Sequence, residues 1–143
     1  MKKLLILFLF AGLVFSTTSC KKKECPKPEV WGVGTWKATK YVENGAEQSS
    51  SDPEVACILT NQLNLNDSWE GSWEYHYYDS NNSSCETIHL TLDSWLENID
   101  KKILVVNFTY NQIEFSFPFK YTDDSHFRLE NDAQNYLEFT KQD

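Results

Sequence analysis

From Trp31 onward, apolar and polar residues alternate along the chain with a period of two. That is the signature of strands with one buried and one wet face. Residues 35–42 read as a first strand, stopped by Glu43-Asn44-Gly45. Residues 46–56 are polar, include Ser49-Ser50-Ser51-Asp52-Pro53, and read as a loop or one short helical turn. In residues 57–66, Cys57, Leu59, Leu63 and Leu65 share a face. Residues 72–79 and 85–94 follow as strands, the second grouping Ile88, Leu90 and Leu92; Trp95 and Leu96 then lead into a turn at 97–102. The second half is more regular. Residues 103–110 align Leu104, Val106, Phe108 and Tyr110, and residues 112–121 align Ile113, Phe115, Phe117, Phe119 and Tyr121. Pro118 has no N–H to give a ladder, so its strand lies at an edge or is bulged there. Residues 126–130 and 135–141 complete the set. About eight short strands, with no long helix and no repeat, predict an all-β antiparallel fold. An up-and-down barrel is expected, because closure removes exposed edges; a β-sandwich is the alternative.

The first thirty residues break this pattern. Met1-Lys2-Lys3 precedes a continuous apolar run, Leu4 to Phe15, of about twelve residues. A bilayer span needs roughly 20, so the run suits the apolar region of a signal peptide instead. Ser16-Thr17-Thr18-Ser19 then lead to Cys20, which resembles the lipobox of bacterial lipoproteins, with Thr17 where leucine is usual. That resemblance implies cleavage before Cys20 and diacylation of its thiol, so residues 1–19 are expected to be a signal peptide and Cys20 a membrane anchor. Residues 20–30, with Lys21-Lys22-Lys23, Pro26 and Pro28, read as an extended tether. Each buried acyl methylene contributes about 0.8 kcal/mol, so the domain would be held to a leaflet without being embedded in it. Lysines directly after Cys20 depart from the acidic pattern of surface-exported lipoproteins, which favours the periplasmic face of the outer membrane. Cys25 is left as an odd thiol with no assigned role.

Charge and composition narrow the function. Without Lys2 and Lys3, 11 basic residues face 21 acidic ones, a net of −10. Four of the basic residues, Lys21, Lys22, Lys23 and Lys27, lie in the tether. An acidic domain repels phosphate backbones, so nucleic acid is not an expected partner. Six Phe, five Trp and seven Tyr follow the signal peptide, enough to build a substantial core in a small domain.

The order of motifs is similar to the lipocalin-like domains of Bacteroidota lipoproteins. Gly34-Thr35-Trp36 opens the first strand like the lipocalin Gly-x-Trp signature, whose Trp closes one end of the barrel. The series continues through the segments at 57–67, 94–106, 120–129 and 136–141, covering residues 32–141. Two positions depart from the family pattern. Asp93-Ser94-Trp95 lacks the Gly of the second Trp motif, and the only Arg, Arg128, lies one strand before the Arg that covers the first Trp in larger lipocalins. The resemblance implies an eight-stranded barrel and a tendency to hold apolar small molecules. It also places cysteines at Cys57 and Cys85, where an oxidising envelope favours a disulfide. Such a bridge would contribute on the order of 3–4 kcal/mol.

The aromatic rows are the candidate site. Trp73, Tyr75 and Tyr77 share one strand face and Phe115 and Phe117 another, so these five are the expected ligand contacts. They either fill a core or line a cavity. A second reading makes the module an interaction protein, docking a protein or glycan through exposed Trp69, Trp73 and Tyr78. No catalytic signature is present: there is no G-x-S-x-G, no phosphate loop and no H-E-x-x-H. The chain is therefore not expected to be an enzyme or to carry a cofactor. His76, His89 and His126 fall in separate strands and Cys57 and Cys85 lack ligand spacing, so no metal is expected.

Overall fold

The computed structural model describes residues 30–142. The expected signal peptide, the anchor Cys20, Cys25 and the tether as far as residue 29 lie outside the described residues. The alternation is realised as ten strands: β1 (Gly34–Glu43), β2 (Ala46–Glu47), β3 (Gln62–Leu65), β4 (Gly71–Asp79), β5 (Ser84–Leu92), β6 (Ser94–Asn98), β7 (Ile103–Tyr110), β8 (Ile113–Tyr121), β9 (His126–Asp132) and β10 (Asn135–Gln142). One short helix, α1 (Pro53–Ile58), lies between β2 and β3.

The strands form one antiparallel sheet in the order β5-β4-β3-β1-β10-β9-β8-β7-β6, with β2 a two-residue spur on β1. Only Asp93 separates β5 from β6, and its N–H bonds the Asn107 carbonyl of β7 at 2.9 Å. β5 and β6 are therefore one bent stave, pairing with β4 through its first half and with β7 through its second. Counted in staves the sheet is a nearly closed up-and-down barrel of eight, as the sequence pattern predicts.

Two segments differ from expectation. Cys57 does not start a strand: it lies in α1, and β3 begins five residues later at Gln62. Asp52 caps this helix, accepting from the N–H groups of Glu54 and Val55, with Pro53 in the first turn. Those are the residues such a terminus favours. Residues 94–98 are a strand rather than a lead into a turn, because Trp95 is drawn into the core and its neighbours pair with β7. Cys57 and Cys85 form the expected disulfide, which ties α1 to the start of β5.

The two ends of the barrel are built differently. At one end Trp36 is fully buried and its indole N–H donates to the Gly32 carbonyl at 2.8 Å. The Glu97 carboxylate accepts from the Trp31 and Gly32 N–H groups, drawing the N-terminal segment across the opening. Lys141 bonds the Trp31 carbonyl at 3.1 Å and stands 5.5 Å from the centre of the Trp36 ring. The cation over the first Trp is thus Lys141 of the last strand. Arg128 instead pairs with Glu138 and lies over Tyr136. Gly34 has φ of +139°, a conformation that favours glycine, and a Cβ there would also push aside the end of the Lys141 side chain. Above this seal Leu63, Leu104, Val106, Phe119, Phe127 and Phe139 fill the interior without solvent exposure.

The other end is open. β8 pairs with β9 only over Phe119–Tyr121, and the ladder stops at Pro118, which has no N–H to continue it. β8 is therefore not an edge strand as a whole, but from Ile113 to Pro118 it has no ladder partner on the β9 side. β5 has no ladder partner besides β4. The tip of the β7–β8 hairpin rises unpaired on both sides, turning through Asn111 and Gln112 at φ of +50° and +65°.

The Tyr121 hydroxyl is buried at the sealed end and makes no hydrogen bond of good geometry. Burial first, then the nearby Glu97 carboxylate, holds this phenol far above the ordinary tyrosine range. An unfolded tyrosine ionises near pH 10, so as pH rises past about 10 the unfolded state loses this proton first and stability falls. Tyr121→Phe is expected to flatten that alkaline loss in urea midpoints measured against pH. Equal alkaline slopes for both proteins would contradict the burial.

Candidate functional site

β3 is too short to cover the upper half of β4, whose ladder with β3 ends at the Gln62–Glu74 pair. A side chain fills the gap. The Asn61 carboxamide donates to the His76 carbonyl at 2.9 Å and accepts from the His76 N–H at 3.2 Å, bonding β4 as a neighbouring peptide would. The same carboxamide donates to the Ile58 carbonyl at the end of α1 (2.8 Å) and accepts from the Trp73 indole N–H (3.1 Å). The Asn61 main-chain carbonyl takes the Ala38 N–H of β1 at 2.9 Å. Asn61 is 1% exposed and the one fully polar side chain in the core of the described residues. A buried amide is tolerated here because every group on it is satisfied.

Trp73, held by that bond, is the root of an aromatic network. Its ring lies 5.5 Å from Tyr75, 5.7 Å from Phe117 and 6.2 Å from Phe108, each edge to face. Tyr75 stacks on Tyr77, and Phe108 stacks on both Phe115 and Phe117. All five residues expected to contact a ligand thus belong to one contiguous network. Exposure rises along it, from 2% at Trp73 to 38% at Tyr75 and 39% at Tyr77. Aromatic rings left half in water at the open end are unusual for a core and suited to an incoming apolar surface.

Beside Tyr75 and Tyr77 lies a cleft of about 470 Å³. Leu129 and Leu137 line it from β9 and β10, Tyr41 and Glu43 from β1, and Glu54 and Ile58 from α1. Asn131 and Asn135 add amides at its rim. The volume is that of a small-molecule site, and its lining mixes apolar and aromatic surface with carboxylates, amides and His76 in about equal share. Burial raises the Tyr41 phenol above its ordinary range, and the carboxylates of Glu43 and Glu54 raise it further. A larger hollow of about 610 Å³ lies at the sealed end between Gly34, Asn64, Gly71 and Asp93, but no aromatic side chain lines it.

Of the five expected contacts only Tyr75 and Tyr77 line the 470 Å³ cleft; Trp73, Phe115 and Phe117 do not, and connect to it through the Trp73–Tyr75 ring contact. Of Trp69, Trp73 and Tyr78, expected as exposed anchors, Trp73 is corrected: it is buried, with its indole bonded to Asn61, while Tyr78 is half-buried at the cleft. Trp69 is 45% exposed, at the far end, stacked on Trp95. Tyr41, Glu43, Glu54 and Asn135 were read only as strand ends and turn residues. The sequence cue available was Asp52-Pro53-Glu54, which starts the helix that brings Glu54 and Ile58 to the cleft. The three histidines stay apart, with His76 beside Thr87, His89 near Glu74 and His126 on Asp123. Among the described residues His, Cys, Asp and Glu do not gather into a group able to hold a metal ion.

Comparison of the chain with protein-family models, with curated proteins and with solved structures finds no match.

Asn61→Ala leaves the Trp73 indole and the His76 peptide without partners. Each buried orphan costs roughly 1–3 kcal/mol, so a loss of about 3 kcal/mol is expected in urea unfolding. A loss below about 1 kcal/mol would show that the seam is held by something else.

Proposed function

We propose that this chain is a membrane-tethered, lipocalin-like binding protein that takes a small apolar molecule into the open mouth of its barrel. The observation that carries the reading is the graded aromatic network, which runs from buried Trp73 to half-exposed Tyr75 and Tyr77 beside the 470 Å³ cleft. The filled interior above Trp36 sets the depth: the molecule sits in the mouth, against the tyrosines, and goes no further. Burial of apolar surface supplies the affinity and the rim amides orient the ligand.

The tether reading fits this geometry. Val30 and Trp31 enter at the sealed end, so an acylated Cys20 would attach there and the mouth would face away from the bilayer. The cell envelope, on the periplasmic side of the outer membrane, remains the proposed location.

Nile red, an uncharged apolar dye, is expected to bind the chain at one site with a rise in emission. Tyr75→Ala should weaken it about tenfold by removing ring area from the wall. Absence of dye uptake by the folded chain would end the proposal. Cys20→Ser is expected to move the protein from the membrane fraction to the soluble one. Retention of this variant in the membrane would rule out the lipid anchor.

A further inference from the structure

The cleft is acidic as well as aromatic. Glu43 reaches it from the end of β1 and Glu54 from the first turn of α1; no Lys or Arg lines it, and His76 is the one basic side chain on its wall. Among the described residues neither of these carboxylates is engaged in an ion pair, although carboxylates elsewhere on the barrel are, at Lys40–Glu47, Lys120–Glu130 and Arg128–Glu138. Both lie near enough to Tyr41 to disfavour its ionisation. Facing them, Tyr75 and Tyr77 present stacked rings at the open end. Aromatic faces and unpaired carboxylates share one electrostatic preference: each attracts a cation, and the ring does so without demanding that the cation be a hydrogen-bond donor. A small hydrated metal ion wants several oxygen ligands, and among the described residues His, Cys, Asp and Glu do not gather into a group of three able to supply them.

We infer that the ligand of this cleft is an organic cation, an amine or quaternary ammonium group carried on an apolar body, with the charged head between Glu43, Glu54 and the Tyr75–Tyr77 stack and the body against Leu129 and Leu137. The inference rests on the proposed binding function and specifies its ligand class. An anionic amphiphile, such as a fatty acid, is disfavoured by the same groups.

The test compares two molecules of one shape on the full chain by displacement of Nile red: benzyltrimethylammonium and its uncharged isostere neopentylbenzene. The cation should bind about tenfold more tightly, and the margin should shrink in high salt. Glu43→Gln with Glu54→Gln should abolish the margin while leaving neopentylbenzene binding unchanged. Glu114→Gln, on the β7–β8 hairpin and outside the cleft, should keep it. Equal binding of both molecules would overturn the cation inference and leave the binding function standing. Binding of neither, with no dye uptake, would overturn both. A margin that survives the double substitution would overturn the assignment to these two carboxylates.

Discussion

The Asn61 carboxamide holds the barrel together at the place where the sheet runs out of strand. β3 ends its pairing at Gln62, and above it β4 would face β1 across an open slit. One side chain bonds the His76 peptide in both directions, the end of α1 and the Trp73 indole. This fixes three things at once: the height of β4, the docking of the helix, and the orientation of the ring from which the aromatic network grows. The disulfide acts in the same region from outside, joining Cys57 of α1 to Cys85 of β5. It stabilises chiefly by restricting the unfolded chain, whereas Asn61 specifies which native contacts form.

That arrangement makes the barrel asymmetric by construction. At the sealed end every device closes: Trp36 bonded to Gly32, Glu97 gathering two N–H groups, Lys141 over the ring. At the other end every device opens: Pro118 stops a ladder, β3 is short, and the β7–β8 hairpin stands clear. Exposed apolar rings are tolerated where a ligand can cover them. Glu43 and Glu54 border the cleft at the same end.

Most of the fold was legible because strand alternation has a period that burial enforces. Residues 103–110 and 112–121 show it cleanly, and their observed limits differ by a residue at most. The eight staves were readable for the same reason, whereas the cysteine pairing followed from the family resemblance and the oxidising compartment it implies. The helix was legible only as one of two options for residues 46–56, a loop or one short helical turn, and its end was hidden because Cys57 and Leu59 continue a period-two pattern into β3 by coincidence. Lys141 over Trp36 was missed because the cation was sought as an arginine. Asn61 was invisible: it sits in the polar run Thr60-Asn61-Gln62, which signals a turn or a wet face, and only the tertiary gap at β4 makes it a core residue. The aromatic contacts were legible as residues but not as a network, because Trp73 of β4 lies far in sequence from Phe108 and Phe117 of the β7–β8 hairpin.

Exchange of indole N–H protons with deuterated solvent, followed by NMR, tests the central claim most directly. If Asn61 locks Trp73 at the root of the network, the Trp73 and Trp36 indole protons exchange only as slowly as the whole barrel unfolds, while the exposed Trp69 exchanges fast. A Trp73 indole proton that exchanges as readily as that of Trp69 would contradict the account.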